Sequence, residues 1–209
     1  MKRVVCSAIA LLSLPALGAE GLLGYYRQPA LHADTLVFHA ESDLWKVSAS
    51  GGTAQRLTTH LERERFPVFS PDGSTIAFTA SYEGPTEIYI MSITGGKPVR
   101  LTYEGISGSR GPRPVSWKSS SELIYATWFF AQRDAHQLAV IDVESGTRNV
   151  IPLAQASAGE FGPDGETLYF TRLPRQRSFA KRYKGGFIEN LWSYKMGAEE
   201  AVPLTADYE

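Results

Sequence analysis

The serines of Gly105-Ile106-Ser107-Gly108-Ser109-Arg110-Gly111 lie in the stretch of this chain that comes nearest to a reactive loop. A nucleophilic serine needs a positioned base and an oxyanion hole. The elbow that supplies them reads Gly-x-Ser-x-Gly on a strand-to-helix turn, and neither the spacing nor the context occurs here. A phosphate loop would end in Gly-Lys-Ser/Thr, which is also absent. The stretch reads as a connecting loop. The four histidines, His32, His39, His60 and His136, form no i,i+4 pair and no cluster of metal ligands. His32 and His39 flank a strand and read as packing or hydrogen-bonding residues. Asp72 and Asp164 stand in Pro-Asp-Gly turns, where the carboxylate caps its own backbone, so a structural role is expected for both. No catalytic residue, cofactor or metal site is expected on this chain.

The turns belong to a repeat. Residues 66–102 read as one small antiparallel unit. Pro71-Asp72-Gly73 turns the chain, Ile76-Ala77-Phe78-Thr79 and Glu87-Ile88-Tyr89-Ile90-Met91 read as strands, Gly95-Gly96 turns it again, and Pro98-Val99-Arg100-Leu101-Thr102 closes the unit. Its second half recurs at a fixed length: Trp45 to Leu57, Tyr89 to Leu101, Ala139 to Ile151 and Trp192 to Leu204 each span 12 residues. The first half recurs too, with Phe69 to Ile76, Trp117 to Ile124 and Phe161 to Leu168 each 7 apart. Four strands in about 40–45 residues is the size of a β-propeller blade. Blades are expected over residues 29–60, 65–104, 113–154 and 158–207, in an all-β fold of four-stranded antiparallel sheets. The loop between the two middle strands varies most, and such loops carry function.

Hydrophobic content of 43% with 21% charge places the chain among globular proteins, and a net charge of −1 gives no field to gather nucleic acid or an anionic membrane. The first 19 residues read as a secretory signal peptide: Lys2-Arg3, an apolar run from Val4 to Leu14, Pro15, then Leu17-Gly18-Ala19. Residues 20–28 are a lead-in, and 29–209 the propeller. Export, to a periplasm, is the expected localisation, with no membrane insertion after cleavage. The only cysteine, Cys6, falls in the leader, so no disulfide is expected in the mature chain. The sequence stops just after a Leu-Thr end point, so a truncated ring with further blades missing is expected.

Two patterns carry a resemblance. The Phe-Ser-Pro-Asp-Gly, Ile-Tyr-Ile-Met, Gly-Gly, Arg-Leu-Thr series resembles the TolB-type propeller repeat. Gly24-Tyr25-Tyr26-Arg27-Gln28-Pro29-Ala30-Leu31-His32, Asp43-Leu44-Trp45, Ala80-Ser81-Tyr82-Glu83-Gly84-Pro85-Thr86-Glu87 and Arg182-Tyr183-Lys184-Gly185-Gly186 with Asn190-Leu191-Trp192 resemble, in order and spacing, the N-terminus of bacterial tricorn-type serine peptidases. That resemblance implies a six-bladed propeller, four of whose blades are present here, that filters or channels short peptides toward a serine-based site on a later domain. It also implies partners: peptide substrates, the remaining domains, and a homo-oligomer. It further implies that Arg110 and Arg113 anchor a peptide carboxylate, a task guanidinium forks suit. A solvated loop with incidental charge is the competing reading of this pair. Arg172, Arg175, Arg177, Lys181, Arg182 and Lys184 form a basic insertion that could steer acidic peptides, contact another domain, or simply be solvated. The competing function is a TolB-like, non-enzymatic protein-binding propeller.

Overall fold

The computed structural model describes residues 24–131, 135–174 and 188–205. The expected leader, and the insertion from Arg175 to Lys184, lie outside them. The described residues form four antiparallel four-stranded sheets, each built from consecutive strands. The first holds β1 (Arg27–His32), β2 (Thr35–Ala40), β3 (Asp43–Ser48) and β4 (Gln55–Arg56). The second holds β5 (Arg65–Phe69), β6 (Thr75–Ala80), β7 (Glu87–Ser92) and β8 (Val99–Arg100). The third holds β9 (Arg113–Trp117), β10 (Glu122–Thr127), β11 (Gln137–Asp142) and β12 (Arg148–Val150), and the fourth β13 (Ala158–Phe161), β14 (Thr167–Thr171), β15 (Leu191–Lys195) and β16 (Val202–Pro203). The first strands of successive sheets lie side by side: β1 against β5, β5 against β9, β9 against β13. They are the inner strands of propeller blades, as the repeat lengths imply.

Period-two alternation explains why a blade needs neighbours on both sides. On β6, Ile76, Phe78 and Ala80 pack with Val37 and Leu44 of the first blade. Ala77, on the other face of the same strand, packs with Leu123, Tyr125 and Ile141 of the third. The opposite faces of β10 and β11 repeat this against Leu168, Phe170 and Tyr194 of the fourth. A strand covered on both faces loses the alternation of buried and exposed positions, and Ile76–Ala80 and Leu123–Thr127 are buried at every residue.

The fixed 12-residue hairpin has a hydrogen-bonded cause. Thr58 Oγ1 accepts the Leu44 N–H at 2.8 Å, Thr102 Oγ1 that of Ile88 at 2.9 Å, and Thr205 Oγ1 that of Leu191 at 2.9 Å. An acid at the start of the third strand completes the clasp in two blades, with Asp43 paired to Arg56 and Glu87 to Arg100. The third blade has Val150 and Pro152 where the first two have arginine and threonine, and the fourth has Pro203 but keeps Thr205. In the third, Gln137 Nε2 donates to the Leu153 carbonyl at 3.1 Å instead.

The Pro-Asp-Gly turns are as expected. Asp72 accepts from Ser70 Oγ at 2.6 Å, Ser74 Oγ at 2.6 Å and Ser74 N–H at 3.1 Å, and these bonds hold its carboxyl down to about 2. Asp164 accepts the Glu166 and Thr167 N–H groups in the same way. Gly73 and Gly165 close these turns at φ of 71° and 67°. A Cβ at Gly73 would also strike the His32 ring, whose Nε2 lies 3.1 Å from the Pro71 carbonyl. At Gly165 it would meet nothing. Both alanine variants should lose about 1 kcal/mol from the left-handed backbone. Gly73→Ala should lose measurably more, and equal denaturation midpoints for the pair would contradict the role given to His32.

Candidate functional site: an arginine-lined mouth

One end of the inner strands opens into a cavity of about 790 Å³. It is floored by the first residues of β5 and β9 and walled by the β6–β7 loop and the connections between blades. Its lining includes Arg63, Arg65, Arg113, His136, Ser81 and Thr86. The wall is stitched together by short bonds. Thr86 N–H donates to the Ile106 carbonyl at 3.0 Å, Gly108 N–H to Thr86 Oγ1 at 3.1 Å, and Thr86 and Ser81 share a hydroxyl contact at 3.1 Å. Gly111 allows this approach, because a Cβ there would sit 2.5 Å from that of Thr86.

The two arginines named from the sequence part company here. Arg113 opens β9 and lines the cavity; its Nη2 donates to the Ser157 carbonyl at 2.9 Å and its guanidinium lies 5.2 Å from the Phe66 ring centre. Arg110 ends a 3₁₀ turn, Gly108–Arg110, and its guanidinium lies 5.0 Å from the Trp128 ring. The glycine-rich stretch is thus a connection between the second and third blades. Burial lowers the pKa of Arg113, and burial together with Arg113 pushes His136 down to about 4, so the imidazole at this wall is neutral at physiological pH. Among the described residues, no group of three His, Cys, Asp or Glu is arranged to hold a metal ion.

Arg27, Arg63 and Arg65 were not singled out as site residues from the sequence. The signal was present as Arg-x-Pro in Arg27-Gln28-Pro29 and again in Arg65-Phe66-Pro67. Register makes it meaningful: Arg27 pairs with His39, Arg65 with Thr79 and Arg113 with Ala126, so the three hold one position in successive inner strands. The fourth blade has Ala158, opposite Thr171, at that position. A second unforeseen feature is Glu64, fully buried beneath the mouth. Its Oε1 accepts the Tyr82 hydroxyl at 2.7 Å while its Oε2 has no partner.

Four four-stranded antiparallel sheets whose first strands lie side by side define a segment of a β-propeller. The family model described as the tricorn protease N-terminal beta propeller domain matches residues 23–209. The chain belongs to that family and corresponds to the N-terminal part of tricorn-like proteases. Tricorn protease homolog 1 of Streptomyces coelicolor is 27% identical over 181 residues, which is 86% of this chain and 17% of that protein. This chain therefore spans about a sixth of such relatives. A tricorn-like protease N-terminal subunit of Sulfurisphaera tokodaii is 29% identical over 182 residues, with 83% of this chain and 89% of that protein covered. Among solved structures, TolB of Acinetobacter baumannii superposes with a TM-score of 0.64 at 18% identity, over 87% of this chain and 43% of that one. The β-propeller domain of the Trilobed protease from Pyrococcus furiosus does so at 0.53 and 12%, over 87% and 57%. These two likenesses concern the fold.

Proposed function

We propose that this chain is the peptide-handling propeller of an exported, tricorn-like serine peptidase, passing short peptides to a catalytic part that lies elsewhere. The observation that carries the reading is the arginine-lined mouth on a chain of this family. Its partners are then peptides, the remaining domains and a second copy of the protein, and its export rests on the leader-like residues 1–19. The Sulfurisphaera protein supports the division of labour, since it is named as an N-terminal subunit. Arg113 supplies charge at the mouth, while Arg110 lies against Trp128. Of the pair, Arg113 is the carboxylate anchor this reading assigns.

The test uses the protein at full natural length. A bulky maleimide on Ser109→Cys, at the cavity wall, should lower kcat/KM for tetrapeptides severalfold and leave dipeptides less affected. Arg113→Met should raise KM for peptides with a free C-terminus about tenfold, the worth of one charge-assisted hydrogen bond, with kcat unchanged. Unaltered hydrolysis in both variants, or no peptidase activity in the parent, would remove the proposal.

A further inference from the structure

Arg27 and Arg65 are placed by the same backbone device. Each stands one step before a register shift in its inner strand. The residues that follow, Gln28 and Phe66, have φ of 52° and 55°. Non-glycine residues hold such left-handed angles only where the surroundings fix them, and such sites cluster at functional positions. Here the two bulges fix each other, since Phe66 N–H donates to Gln28 Oε1 at 3.0 Å across the blade boundary. A bulge re-aims the side chain beside it. Two linked bulges therefore set Arg27 and Arg65 at one level of adjoining inner strands, with the Arg27 guanidinium 4.1 Å from the Tyr25 ring centre. The connection from β4 to β5 adds Arg63, exposed and lining the same cavity as Arg65.

Among the described residues lining the cavity Glu62 is the one carboxylate, and it is exposed on the connection that carries Arg63. Among the described residues, none of the ion pairs involves Arg27, Arg63 or Arg65. Beside them His39 is 9% exposed, and neither of its ring nitrogens has a hydrogen-bond partner. Burial and the charges of Arg63, Arg65 and Arg27 hold it neutral, against the opposing pull of Asp43, whose carboxylate is engaged by Arg56. Those four are the charged groups that face His39 from β1, β3, β5 and the β4–β5 connection. Like charges crowded around an unpartnered imidazole are unfavourable until an anion arrives. With a net charge of −1 on the whole chain, the attraction is local to this rim.

We propose that Arg27, Arg63 and Arg65, with the imidazole of His39, form a carboxylate-binding site on the inner rim between the first and second blades, one blade away from Arg113. The proposal rests on the peptide-conduit reading and gives that conduit a preference for peptides bearing a carboxylate. Planar guanidinium forks accept a carboxylate in two parallel bonds.

The experiment is calorimetric binding to the full-length protein under serine-hydrolase inhibition, with three probes: N-acetyl-tetraalanine, its C-terminal amide, and the amide of N-acetyl-Ala-Glu-Ala-Ala. One or both of the charged peptides should bind about tenfold or more tightly than the neutral amide. Which of them does so tells whether the terminal or the side-chain carboxylate is taken. Measured in the Arg113→Met background, so that the anchor assigned above does not contribute, Arg63→Gln, on an exposed connection, and Arg65→Gln should each abolish that preference. The imidazole resonance of His39 should shift on adding the favoured peptide to the parent, and not to Arg63→Gln. A charge preference that survives both substitutions at unchanged melting temperature overturns the site, as does equal binding of all three peptides; in the second case the conduit stands. If no peptide binds but acetate moves the His39 resonance in an Arg63-dependent way, the site stands and the conduit falls.

Discussion

Glu87→Ala is expected to destabilise the protein by about 3–5 kcal/mol, enough to consume much of the stability of an ordinary domain. Glu87 is fully buried and satisfies three donors. These are Thr102 Oγ1 at 2.6 Å, Gly105 N–H at 2.8 Å and Arg100 Nη2 at 3.0 Å. Alanine leaves all three without their acceptor, one of them a cation whose side chain is 15% exposed. Glu87→Gln, which keeps two acceptor lone pairs and loses the charge, should cost less. Arg100 also bonds Glu83 Oε2 at 2.6 Å, but Glu83 is 61% exposed. Glu83→Ala should therefore change the free energy of unfolding by well under 1 kcal/mol. Denaturant titration of the three variants checks the order. A Glu83→Ala loss as large as that of Glu87→Ala would show that the clasp is a surface ion pair and no more.

The second large effect depends on pH. Desolvation raises the Glu64 carboxyl to about 7, against the opposing hydrogen bond from Tyr82. The unfolded chain ionises this group near its usual value of 4.5, while the folded chain keeps the proton until about 7. The folded state binds the extra proton, so stability falls as pH rises from about 4.5 to 7 and levels off above that. The difference amounts to about 3 kcal/mol. Glu64→Gln keeps the acceptor for Tyr82 and cannot ionise. It should match the parent near pH 4.5 and exceed its stability at pH 8 by up to that amount. Parallel pH–stability curves for the two proteins would place the Glu64 carboxylate in contact with water.

What the sequence revealed and concealed follows from the range of the interactions. The 12-residue hairpins were legible because each clasp joins residues 14 apart, such as Leu44 and Thr58, within one blade. The Pro-Asp-Gly turns were legible because Asp72 bonds only Ser70 and Ser74. The mouth was not, because its geometry comes from contacts between blades. Gln28 and Phe66 are 38 residues apart, and so are Arg27 and Arg65; nothing local announces that they meet. Arg110 and Arg113 were close in sequence and read as a pair, yet a 3₁₀ turn and the start of a strand set them against different aromatic rings. Glu64 looked like one more charge in Glu62-Arg63-Glu64-Arg65. Its burial depends on Tyr82, 18 residues later.

The missing clasp of the third blade bears on how the protein avoids sticking to itself. The outermost strands of the first, second and fourth blades are two residues long. So short a row of backbone groups offers a foreign strand almost nothing to zip onto. The third blade, with Val150 and Pro152 in place of arginine and threonine, has an outer strand of three residues, Arg148–Val150, all of them exposed. Pro152 then ends the run two residues on. Proline cannot donate to a ladder, so it acts as a stop on the one rim where the usual fastening is absent. A serine at that position would lift the stop and lengthen a free edge, and fibrillar association would then begin at the third blade.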